Sequence, residues 1–129
     1  MMQANSGPIG SSTTPLDANI KAEVVDMMDG DQELIIDLID TMMESTSELM
    51  NNLTEGIREA NALRIRDAAH ALKSSSAQLG ALPFSEVCRD LEQMGKNNQL
   101  AEAKTHLVRL MNAYQQMSAA LLEWKTACS

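Results

Sequence analysis

The chain has 129 residues, 44% hydrophobic and 22% charged, enough for one packed domain and too few for two comfortable ones. Its formal net charge of −8 argues against nucleic acid or an anionic membrane surface as the main partner. Aromatic residues make up only 2%, and an apolar set dominated by Leu, Met and Ala favours helix over strand.

Residues Met1 to Pro15 are rich in Gly, Ser, Thr, Asn and Pro and show no apolar period. They predict a flexible leader ahead of a domain over residues 16–127. Leu16, Ile20, Val24 and Met27 or Met28 predict a short first helix, stopped near Asp29-Gly30. A second helix opens at Asp31 as N-cap and runs towards Asn61. Its stripe is Leu34, Ile35, Leu38, Ile39, Met42, Met43, Leu49, Met50, Leu53 and Ile57.

A third helix, about Ala62 to Ala81, should bury Ile65, Ala68, Ala69, Leu72, Ser76 and Leu79. Pro83 suits the first turn of a fourth helix, which carries Val87, Cys88, Leu91 and Met94 and ends near Gly95. The last helix, Gln99 to Lys125, uses Leu100, Ala103, Leu107, Leu110, Met111, Tyr114, Met117 and Leu121. Short connections between long amphipathic helices predict antiparallel neighbours. The expected fold is all-α: an antiparallel up-down four-helix bundle with a short additional N-terminal helix.

Cys88 falls in the apolar pattern as a small core residue, and Cys128 sits at the tail. Neither has metal-type or redox-pair spacing, no secretory signal is evident, and no apolar run approaches a membrane span. A reducing cytoplasm is the simplest compartment.

Advancing about 100° per residue along the third helix separates its core side from a second face of Arg66, His70, Lys73, Ser74 and Ala77. His70 should therefore face solvent in mid-helix, with only Ser74 and Ala77 in the next two turns beside it. Neutral imidazole is nucleophilic near neutral pH. Phosphoryl transfer depends mainly on positioning and charge stabilisation. Lys73 can reach phosphoryl oxygens as a mobile point charge, and Arg66 adds longer-range attraction. Arg58, Arg64, Arg66, Lys73 and Arg89 look like a basic patch suited to an acidic site on another protein.

The segment resembles the signature of histidine-containing phosphotransfer (Hpt) domains, approximately A-H-x-L-K-G-S-S-x-x-L-G-A. Ala69, His70, Leu72, Lys73, Ser75, Ser76, Leu79, Gly80 and Ala81 fall on it. The resemblance implies that His70 accepts a phosphoryl group from a receiver-domain phosphoaspartate, at Nε2, and passes it to another receiver. It implies Lys73 as the supporting cation, Gly80 as a point of close helix approach, and Ser75 and Ser76 as keepers of tight packing. Leu91-Glu92 resembles the family's L-E pair, which makes Glu92 a candidate to orient the imidazole. Ser74 stands where the family most often has Gly, and Arg66, Ser74, Ala77 and Arg89 are the candidate docking residues.

The implied partners are response-regulator receiver domains and a hybrid sensor histidine kinase. Neither nucleic acid nor membrane is expected, and a monomer suffices. The chain itself would bind no cofactor, Mg²⁺ belonging to the partner receiver. It would be a phosphotransfer intermediate without an ATP-binding or autokinase site. The alternative is a non-catalytic helical adaptor that binds a receiver through the same face.

Three other readings fare worse. His106 is followed by bulky Leu110, Met111 and Asn112, so it reads as a boundary or surface histidine. Asp67 and His70 have the i, i+3 spacing of bundle metal sites, but no second acid-His motif accompanies them, so no metal is expected. A histidine-kinase dimerisation helix would carry an acidic residue after the histidine, where Ala71 stands, and an attached nucleotide-binding domain.

The two faces of the third helix differ in what they should tolerate. Leu72→Ala should cost about 2–5 kcal/mol, whereas His70→Ala should leave the urea midpoint nearly unchanged. A large loss in the histidine variant would overturn the assignment of its face.

Overall fold

The computed structural model describes residues 14–129. Of the leader expected over Met1 to Pro15, all but Thr14 and Pro15 lies outside the described residues. Six helices follow: α1 (Ala18–Met27), α2 (Gln32–Arg58), α3 (Ala62–Gln78), α4 (Leu82–Lys96), α5 (Leu100–Thr105) and α6 (Leu107–Cys128).

Their starts follow capping chemistry. Asp17 accepts from the backbone N–H groups of Asn19 and Ile20, and Asp31 from those of Glu33 and Leu34. Asn61 accepts from Arg64. Each side chain satisfies donors that the first helical turn leaves unpaired. The turns between helices place Asp29, Gly30, Ala60, Gly80 and Asn98 at positive φ.

Helices α2, α3, α4 and α6 form the expected up-down bundle, with α6 closing back against both α4 and α2. The core runs through Ile39, Leu53, Ile57, Ile65, Leu72, Phe84, Leu91, Leu110 and Leu121, all essentially sealed from solvent. Cys88 belongs to this core, and burial pushes its thiol up to about 12, which leaves it without thiolate character. Helix α1 lies across one end of the bundle. Its cap residue Asp17 donates its backbone N–H to the Gly80 carbonyl at 2.8 Å, and Lys21 sits 5.2 Å from the centre of the Trp124 ring. Among the described residues, no helix is long and apolar enough to cross a membrane.

Some expected details are corrected. The last helix is two helices, broken at His106. The Thr105 hydroxyl and the His106 Nδ1 both bond the Glu102 carbonyl, at 2.7 and 3.1 Å, and the His106 N–H goes to Ala103 instead. Side-chain donors thus take the acceptor that a continuous helix would use. Leu34 and Met111, expected in the core, are exposed, while Thr46 and Phe84 are buried. The α2 stripe is therefore narrower than the apolar residues suggest.

Gly95 lies inside α4 rather than at its end. A β-carbon there would stand 2.8 Å from the Arg66 nitrogen and 2.9 Å from the Ala62 oxygen. The absence of a side chain lets α4 rest directly on the α3 backbone. An exposed helix interior normally gains about 1 kcal/mol from Gly→Ala. Here the sign should reverse: Gly95→Ala should lose about 1–3 kcal/mol by forcing the helices apart, read as a lower urea midpoint. An unchanged or raised midpoint would show that the contact relaxes freely.

Candidate functional site

The site sits where α3 and α4 pack against each other. The helical period turns Ile65, Ala68, Ala69, Leu72 and Ser76 into the core and leaves His70 outward, its side chain 61% exposed. Ser74 is exposed beside it and Ala77 half-buried. Glu92 projects from α4 into the seam with a side chain only 4% exposed.

Three groups converge on that carboxylate. His70 Nδ1 lies 2.9 Å from Oε2, Lys73 Nζ 2.7 Å from Oε1, and Lys96 Nζ 3.5 Å from Oε2. The Lys73 approach has the distance of an ion pair without ideal hydrogen-bond angles at Oε1. Burial alone would raise the Glu92 carboxyl. The Lys73 and His70 hydrogen bonds, with the charges of Lys73 and Lys96, overcome it and hold the group down from 4.5 to about 2. Glu92 is thus an anion at neutral pH, and an ionised carboxylate only accepts hydrogen bonds. His70 must therefore donate from Nδ1, which leaves the lone pair of the neutral ring on Nε2, the nitrogen turned away from Glu92.

The backbone beneath these groups is fixed. Ser76, buried, returns its hydroxyl to the Leu72 carbonyl, and Ser85 donates from α4 to the Lys73 carbonyl at 2.9 Å. Ser75 is half-buried on the same helix, and Gly80, at φ +82, packs against Asp17 and Ile20 of the α1 start. Gly80 thus serves the contact with α1 rather than the seam between α3 and α4, where Gly95 lies.

The structure brings His70, Lys73 and Glu92 together and disperses the expected basic patch. Arg64 turns to Glu55 and Glu59 at 2.8 and 3.1 Å, and Arg58 lines an α2–α6 groove with Leu107 and Met111. Arg66 flanks the site but pairs with Asp67 at 3.1 Å, and Arg89 stands 3.9 Å from Asp90. Lys96 was not among the expected residues. Its signal is the i, i+4 spacing to Glu92, which places the two on one helix face. Arg66, Asp67, His70, Glu92 and Lys96 border an open cavity of about 450 Å³.

A helical bundle that presents one outward imidazole, oriented from behind by a buried carboxylate, defines a histidine-based helical module. The model of the Hpt domain family matches residues 37–121, and the chain belongs to this family. It is a histidine phosphotransfer intermediate of phosphorelays, a class that works with receiver domains. Its fold is similar to the crystal structure of histidine-containing phosphotransfer protein B from Pseudomonas aeruginosa PAO1. The TM-score is 0.81 at 19% identity, over 89% of this chain and 97% of that one. No curated protein matches the chain.

The charge on Glu92 makes stability depend on acid. Its carboxyl is lower in the folded chain than unfolded, so the contribution is complete above 4.5 and is lost as pH falls towards about 2. Wild type should therefore lose stability over this window more steeply than Glu92→Gln. Urea midpoints at pH 6 and pH 3 measure the difference, and parallel curves would contradict the assignment.

Proposed function

We propose that His70 is the phosphoryl acceptor and that Nε2 is its reacting atom. The observation that carries this reading is the 2.9 Å contact from His70 Nδ1 to the buried Glu92 carboxylate, beneath a ring that is otherwise open. The Nε2 lone pair attacks the phosphorus of a receiver phosphoaspartate. The N–P bond forms as the P–O bond to the aspartate breaks, and the bonding pair leaves with that carboxylate. Nδ1 keeps its proton throughout, and Glu92 stabilises the positive ring that results. The reverse sequence, with a second receiver aspartate as nucleophile, empties the site.

Lys73 supplies positive charge to the transferred group, and Glu92 is a positioning residue that fixes the ring and its tautomer. Arg66, Ser74, Ala77 and Arg89 surround the ring as the docking face, where small side chains at Ser74 and Ala77 leave room for a partner's loops. The donor would be the receiver of a hybrid sensor histidine kinase and the acceptor a response regulator. Mg²⁺ belongs to those receivers, and the chain needs no nucleotide site of its own. A monomer in the cytoplasm fits this role.

Incubation with a phosphorylated receiver tests the assignment. Acid-labile label should appear on wild type and be absent from His70→Gln, while ATP alone should label neither. Equal labelling of the two would end the His70 assignment. Receiver binding without label on wild type would favour the adaptor reading.

A further inference from the structure

Lys73 and Lys96 approach Glu92 from opposite sides. Lys73 borders a small cavity with Leu82, Ser85, Glu86 and Arg89, and Lys96 borders the larger one with Arg66, Asp67 and His70. The two are held unequally. Lys73 is 31% exposed and 2.7 Å from its oxygen, while Lys96 is 48% exposed and 3.5 Å from its own. A half-exposed ion pair of that length is weak. Lys96 is thus the cation that leaves Glu92 most easily.

Lys96 is also well placed to arrive elsewhere. It shares the Oε2 atom with His70 Nδ1, so its ammonium lies no farther from the ring than those two contacts combined. Its four-carbon stem is flexible and ends in a compact charge with three donors. The neighbouring cation in this cavity, Arg66, already has Asp67 as partner, so Lys96 faces little competition for an incoming anion.

We infer that Lys96 is a second phosphoryl-holding cation, parked on Glu92 while His70 is free and moved onto the phosphoryl oxygens when Nε2 is phosphorylated. This rests on His70 as the acceptor. When Lys96 leaves, Glu92 retains Lys73 and His70 Nδ1, so the buried carboxylate is never stripped of partners. The N–P bond breaks through a loose transition state. A cation on the phosphoryl oxygens therefore holds the ground state and lengthens the life of the phosphorylated form.

The test uses the full chain phosphorylated by phosphoramidate, so that receiver docking plays no part. Lys96→Met should shorten the phosphohistidine half-life roughly threefold to tenfold at low salt, and Lys96→Arg should restore it. The difference should shrink in high salt, where charge effects are screened, and thermal unfolding of the free protein should move little. A half-life in Lys96→Met equal to wild type overturns the inference, as does a loss that Lys96→Arg fails to restore. Label found anywhere but His70 Nε2 would instead overturn the acceptor assignment, whatever Lys96 does.

Discussion

The arrangement of the site depends on one costly act, the burial of an ionised carboxylate between two helices. An unpaired charge in that position would cost several kcal/mol or would simply be protonated. Glu92 stays ionised because it faces two lysines and an imidazole N–H at once. The dependence also runs the other way. The anion dictates that His70 donates from Nδ1, and so decides which ring nitrogen remains free. Orientation and tautomer thus come from one contact on the sheltered side of the ring, which leaves the outer side bare.

That contact needs α3 and α4 at a fixed separation. Gly95 removes the side chain that would push them apart, and the Ser85 hydroxyl crosses the seam to the Lys73 carbonyl. Lys73 is therefore gripped at both ends, through its backbone by Ser85 and through its ammonium by Glu92. The long α2 and the broken α5–α6 pair form the opposite wall. There half-buried Leu38, Met42, Met43 and Leu107 pack against the core. Methionine fills such gaps adaptably, so precision is concentrated in the pair of helices that carries the chemistry.

Much of this was legible in the sequence. The 3.6-residue period of α3 sorted every residue it placed in the core, and by the same rotation it put His70 outside. The Asp31 cap was readable from residue type and position. Partnership between side chains distant in sequence was not. Glu92 lies 22 residues from His70, and a helical wheel of α4 alone does not distinguish a buried carboxylate from a solvated one. Gly95 looked like a helix stop because glycine usually ends helices, and only the α3 backbone beside it shows the other use. The break at His106 arises from competition for a single carbonyl, which apolar periodicity does not register. The arginines misled because counting charges along a segment ignores the acids that α2 and neighbouring positions bring to them.

This last correction changes how the face around His70 can recognise a partner. Arg64 is turned to α2, Arg66 and Arg89 each stand beside an aspartate, and Lys73 and Lys96 face the Glu92 anion. Little uncompensated positive charge is left for long-range steering, and the chain as a whole carries −8. What the face offers instead is shape. Leu63, two turns before His70 on α3, is 58% exposed, and Leu82, beside Lys73, is 38% exposed. Between them lie the small side chains of Ser74 and Ala77. Apolar flanks around a low, polar centre give contact area at the edges and access in the middle. On the proposed reading, charge is then spent at short range, where two lysines can leave a carboxylate for a phosphoryl group, rather than on attraction at a distance.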